Sequence, residues 1–252
     1  MAGARAGRMR PGPYERLIAL GFSDEDAETL MEVFLDAEAH GKTGHGLVRI
    51  AELETFPNLS PSARPMVVVD EAAYQRWDGN GALGYLTLAA VCRSQIASPP
   101  ERARLVVAVD CFPTGALGYW VRQLSREGLV AALATTSPTR LAHPDGGPAL
   151  TGTNPLAIAI PSSEGEPVVA DVSMAKATWG DVLSGRATEA DVVPFGGEQA
   201  HKAFALAVGL ELLVRSLAGE RYGAVLLVAQ PEYDPVPAFR QRAAGTRLPG
   251  DR

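Results

Sequence analysis

The sequence predicts an α/β fold, because short β-branched runs alternate with longer amphipathic stretches along its 252 residues. A 46% apolar and 21% charged composition is that of a folded globular chain, and Gly and Pro fall mostly between the periodic segments.

Residues 1–12, rich in Gly, Arg and Pro, read as a flexible tail, and structure is expected from Pro13. Residues 13–252 are expected to form one compact unit, with an N-terminal helical segment over 13–57 and an α/β core over 58–252. Ser23, with Asp26 three residues on, marks a helix start, and Ala27, Leu30, Met31, Phe34 and Leu35 continue it to about His40. Gly41 to Gly46 interrupt the pattern, and a short helix from Leu47 to Thr55 stops before Pro57. Met66–Asp70 reads as a strand, Leu83–Ala97 as a helix and Arg104–Asp110 as a buried strand. A helix over Gly118–Glu127 ends at Gly128 and a strand follows over Leu129–Thr135. Leu156–Pro161 and Pro167–Asp171 are strands joined by the turn Ser162–Gly165. A long helix over 200–218 ends at Gly219, and Ala224–Ala229 is the last strand, before a polar tail after Phe239.

A net charge of −6 without basic clusters speaks against nucleic acid as a partner, and no apolar run reaches the length of a membrane helix. With no apolar signal segment and two cysteines, Cys92 and Cys111, outside any metal or redox spacing, the chain is expected in the cytoplasm with buried thiols. Gly79–Gly84 matches the dinucleotide pattern G-x-G-x-x-G, yet eight residues separate it from the strand ending at Asp70, so it is read as a loop leading into a helix.

His45 and Arg49 lie four residues apart, which puts both side chains on one helical face about 5–6 Å apart. Such a pair suits an acid with a neighbouring C=O or C=N: the guanidinium holds the carboxylate, and the imidazole supplies a proton as hydride reaches carbon. Thr153 and Asn154, in the loop Thr151–Pro155, offer hydroxyl and amide groups to a polar ligand. Asp171–Ala177 follows a strand end, where α/β sheets collect ligands. Lys202, in the first turn of a helix behind Gly196 and Gly197, suits a phosphate seat.

In this order the segments resemble the malate, L-lactate and ureidoglycolate dehydrogenases of the non-Rossmann type, a family that also holds 2,3-diketogulonate reductase, sulfolactate dehydrogenase and piperideine-2-carboxylate reductase. GHGLVR, WDGNGALG, TGTNPLAIAIPS, DVSMAKATWG, GGEQAHKAFALAVGLELL and RLPGDR are similar to its motifs from Pro13 to Arg252. The resemblance implies an L-sulfolactate dehydrogenase-like fold, a mixed sheet with N-terminal helices, and a homodimer that uses NADPH or NADH and no metal. It implies hydride transfer to a 2-oxo acid or cyclic imino acid, with a carboxylate-bearing small molecule as substrate. By position His45 is the proton donor and Arg49 the carboxylate anchor, with Thr153 and Asn154 near the substrate. Asp171, Val172, Ser173, Met174, Ala175, Lys176, Ala177, His201, Lys202, Pro249, Gly250 and Asp251 are the implied cofactor contacts. Gly44, Pro113 and Ala203 stand where the family has serine, histidine and glycine, and the chain is abbreviated after Arg186. Those departures define the alternative, a catalytically inactive relative kept for binding or dimerisation.

Overall fold

The computed structural model describes residues 11–251. Of the expected tail, residues 1–10 lie outside the described residues, and Pro11 and Gly12 precede the first helix. That helix, α1 (Pro13–Ala19), opens the helical segment expected over 13–57, although no individual helix is read there; Pro13 supplies the preset φ that favours a first turn. In α2 (Asp24–Ala39) the Ser23 hydroxyl accepts from the Asp26 N–H, as its spacing predicts. A 3₁₀ turn over Thr43–His45 and the short α3 (Arg49–Leu53) follow.

The strands are β1 (Met66–Asp70), β2 (Tyr74–Asp78), β3 (Ala103–Val109), β4 (Val130–Thr135), β5 (Leu141–Ala142), β6 (Ala149–Thr151), β7 (Leu156–Ile160), β8 (Val168–Val172) and β9 (Gly223–Ala229). Between them lie α4 (Gly84–Ala97), α5 (Leu117–Arg126), α6 (Trp179–Leu183) and α7 (Ala200–Ala218), and α8 (Val236–Arg242) follows β9. Seven strands form one mixed sheet in the order β1-β2-β3-β9-β4-β7-β8, and β5 pairs with β6 alone. Among the described residues β2–β3 is the one parallel pair, and every other pairing is antiparallel. A dinucleotide fold of the Rossmann kind needs a mostly parallel sheet, so the topology excludes it.

The discounted glycine motif needs a different reason from the one its spacing suggested. An unforeseen strand, β2, runs straight into Gly79, so a strand does precede the motif. Its glycines serve close packing instead: a Cβ on Gly79 would lie 2.1 Å from the Asp110 carbonyl oxygen, and one on Gly84 2.6 Å from the Phe112 nitrogen.

Alternation along β3 and β9 sorts the core into two layers. Val106, Ala108, Leu226 and Val228 face α2, α4 and α5, packing with Phe34, Leu88 and Trp120, and Leu17 and Leu53 of the N-terminal helices join the same cluster. Val107, Val109 and Val225 face α7, where Val214 and Ala218 cover them. The polar tail expected after Phe239 begins inside α8, which Pro235 at its N-cap introduces and which ends at Arg242.

Candidate active site

Between the N-terminal helices and the sheet ends lies a cavity of about 620 Å³. The 3₁₀ turn delivers His45 to it and the first residue of α3 delivers Arg49, so the two do not share one regular helix as their spacing implied. They meet all the same, with Arg49 Nη2 3.4 Å from His45 Nδ1. Arg49 is buried, its Nε donating to the Gly44 carbonyl at 2.7 Å and its Nη1 to Glu52 at 2.5 Å. A guanidinium only donates, so Nδ1 of His45 is the acceptor and the ring proton sits on Nε2. Burial first, and Arg49 second, push the His45 pKa down to about 3, so the ring is neutral at ordinary pH.

Thr153, Asp171 and Ser173 line the same cavity. Asp171 accepts from Lys42 and, at 2.8 Å, from the Gly118 N–H. The structure therefore brings five of the sequence-predicted residues together and places the rest elsewhere. Asn154 is fully buried beneath the cavity wall, donating to Glu211 at 2.7 Å and to the Ala207 carbonyl at 3.1 Å, while its Oδ1 accepts from the Ser137 N–H. Those bonds use its amide and leave nothing for a ligand. Met174, Ala175 and Ala177 point into the interior, Met174 among Leu141, Val192 and Ala207. Val172 is exposed at the end of β8, and Lys176 is exposed and pairs with Asp191 at 3.0 Å. His201 and Lys202 are exposed on the first turn of α7, outside the cavity lining. Pro249 accepts from the Val169 N–H at 3.1 Å, and Asp251 pairs with Arg240 at 2.9 Å. Gly250 and Asp251 border a second hollow with Arg122 and Arg240, away from His45.

Several cavity residues escaped the sequence reading, Tyr85, Arg140, Trp179 and Asp181 among them. Tyr85, at the start of α4, has a fully buried hydroxyl with no hydrogen-bond partner among the described residues. Burial pushes its pKa up to about 12, so it stays a donor. Arg140 lies over the ring of Trp179, 3.5 Å from its centroid. Burial raises the Asp181 pKa, but Arg186 and the Thr178 bonds outweigh it and hold the carboxyl below its usual range. The aromatic within the DVSMAKATWG stretch was the one available signal for this corner, since Arg140 reaches it only through tertiary packing.

Gly44 has a steric cause here. Its carbonyl touches α6, where a Cβ on Gly180 would lie 2.0 Å from it, and a Cβ on Gly44 would lie 2.7 Å from the Gly180 carbonyl carbon. A serine at position 44 has no room against this helix. Pro113 contributes an apolar ring to the cavity wall.

The fold is shared with solved structures. Delta1-piperideine-2-carboxylate reductase from Pseudomonas syringae pvar. tomato superposes with a TM-score of 0.79 at 24% identity, covering 94% of this chain and 88% of that one. In sequence the chain is 29% identical to the (2R)-3-sulfolactate dehydrogenase (NADP(+)) of Chromohalobacter salexigens, over 82% of this chain and 69% of the relative. It is 31% identical to the Delta(1)-pyrroline-2-carboxylate reductase of Pseudomonas fluorescens, with the same two coverages. The family model described as malate/L-lactate dehydrogenase matches residues 13–192, and with that span, which holds the whole His45–Arg49 cavity, the chain belongs to the malate/L-lactate dehydrogenase family.

Proposed function

We propose that the protein is an oxidoreductase that uses NADPH or NADH to reduce a C=O or C=N bond beside a carboxylate, in a 2-oxo acid or a cyclic imino acid. The observation that carries this reading is the contact of the His45 imidazole with the Arg49 guanidinium at the wall of a cavity of about 620 Å³. That volume lies within the range of small-molecule sites, roughly 300–1,000 Å³. The lining fits a nicotinamide ring beside a small acid: Phe112, Pro113 and Leu117 give apolar surface, and the Tyr85 hydroxyl, without a partner among the described residues, is left to donate to an acceptor. A bound reduced nicotinamide supplies the hydride. Relatives named as NADP(+)- and NAD(+)-dependent dehydrogenases support the cofactor class.

His45 exchanges the proton at Nε2. In the oxidative direction the ring proton must stand on Nδ1, so that Nε2 is free to take a proton from an alcohol or amine. In the reductive direction Nδ1 must also carry a proton, which the neighbouring Arg49 N–H opposes. A substrate carboxylate that draws Arg49 Nη2 to itself frees Nδ1 and offsets the cation that depresses the pKa. Anchor and acid are thus coupled, and the acid charges when substrate is in place. Asp171 and Ser173 are read as the cofactor contacts on this wall, Thr153 as a substrate contact, and Asn154 as a support.

The exposed apolar side chains Leu206, Leu212 and Leu213 on α7 suit a homodimer contact, and the free, buried thiols Cys92 and Cys111 suit a reducing compartment such as the cytoplasm.

His45→Gln tests the reading. The variant should bind NADPH like the parent, followed by nicotinamide fluorescence, and lose about 10²-fold or more in kcat on its best 2-oxo acid or cyclic imine. An unchanged kcat removes His45 from the chemistry.

A further inference from the structure

Four basic side chains line the cavity, Lys42, Arg49, Arg140 and Arg186, against three carboxylates, Glu52, Asp171 and Asp181. Each carboxylate is taken: Glu52 by Arg49, Asp171 by Lys42 and Asp181 by Arg186. Arg140 is what remains. Its side chain makes no hydrogen bond or ion pair with any described residue, and its charge rests on the face of Trp179 alone. Stacking covers one face of a guanidinium and leaves the in-plane edge free, where its five N–H groups point. That edge matches a planar or tetrahedral oxyanion in a bidentate pair.

From these contacts we propose that Arg140, laid on Trp179, is the anchor for a second acidic group at the far end of the substrate, so that the enzyme selects dianionic acids over monoanionic ones. The inference rests on the reductase reading above, with Arg49 holding the carboxylate next to the reacting carbon. The two anchors are neighbours through α6. Gly180 abuts Gly44 and Arg49, where a Cβ would lie 2.8 Å from Arg49 Nη2, and the adjacent residue Trp179 carries Arg140. One short helix therefore sets the distance between the two cationic points, and with it the length of acid that bridges them. The group received is a carboxylate, sulfonate or phosphate. A phosphate of the cofactor has the same chemistry, and the experiment must separate the two sources.

Arg140→Met keeps an apolar stem on Trp179 and removes the charge. In the parent, kcat/KM for oxaloacetate or 2-oxoglutarate should exceed that for pyruvate or 2-oxobutyrate. In the variant that ratio should fall by about 10- to 100-fold, the range of a lost charge-assisted pair. A parent without discrimination, or a variant that keeps the parent's ratio, overturns the proposal. A raised Kd for NADPH with an unaltered ratio overturns it too, and assigns the guanidinium to the cofactor. A second readout needs no turnover. Trp77 and Trp120 are buried and Trp179 borders the cavity, so succinate should change the tryptophan emission of the parent and butyrate should not. Both Arg140→Met and Trp179→Phe should abolish that change, and a response that survives Arg140→Met overturns the anchor. Succinate binding through Arg140 without turnover of any 2-oxo or imino acid keeps the anchor and overturns the reductase. Turnover without discrimination does the reverse.

Discussion

At the scale of single residues, the site works through groups whose ordinary behaviour has been altered. His45 titrates near 6.5 in an unfolded chain and near 3 in the folded one. Between those values the unfolded state binds the proton first, so the contribution of His45 is complete above pH 6.5 and declines as the pH falls toward 3. Urea midpoints measured from pH 7 to pH 4 should drop more steeply for the parent than for His45→Gln; parallel curves would refute a depressed imidazole. Tyr85 makes the opposite kind of prediction. Its hydroxyl is buried without a described partner, so Tyr85→Phe should leave stability equal or raise it slightly. If a ligand supplies the missing acceptor, the same change raises the substrate KM or cofactor Kd by roughly 10-fold, about one hydrogen bond. His45 and Arg49 were legible in the sequence because their chemistry and spacing are local. Asn154 misled because an amide in a polar loop looks alike whether it faces a ligand or, as here, a buried Glu211. Arg140 was invisible, since its importance depends on Trp179, thirty-nine residues away in the sequence.

At the scale of elements, the joint between the 3₁₀ turn and α6 controls the site. Gly44 and Gly180 meet backbone to backbone, and neither tolerates a side chain. Gly180→Ala would place a methyl 2.0 Å from the Gly44 oxygen and 2.8 Å from Arg49 Nη2, so backbone must shift. The expected cost is about 1–3 kcal/mol, read as a lower denaturant midpoint at constant slope, together with a raised KM because Arg49 moves. The longer elements were legible: α7 follows its apolar face and ends at Gly219, and β3, β4, β7 and β9 fall within a residue or two of their apolar runs. Among the shorter ones, β2, β5, β6 and α6 were not, because two to five residues carry too little periodicity to register. Missing β2 had a consequence, since it removed from view the strand on which the glycine motif abuts.

At the scale of the molecule, alternating strands and helices identified the α/β class, while the nearly all-antiparallel sheet came only from pairings between distant segments. The shared cluster of Leu17, Phe34 and Leu53 with strands β3 and β9 supports our proposal that residues 13–251 act as one unit. Leu206, Leu212 and Leu213 stay exposed on α7, each about half accessible. If they meet a second copy, Leu212→Glu should convert a dimer to a monomer in light scattering, and a parent that is monomeric at micromolar concentration refutes the contact. The strand made last among the nine, β9, lies in the middle of the sheet, zipped on one side to β3 and on the other to β4. On the ribosome, then, two half-sheets must wait with facing unsatisfied edges until residues 223–229 emerge to close the seam. Until that closure the two groups of residues that line the chamber, Tyr85 and Phe112 from one half and Thr135 and Asp171 from the other, belong to half-sheets not yet joined.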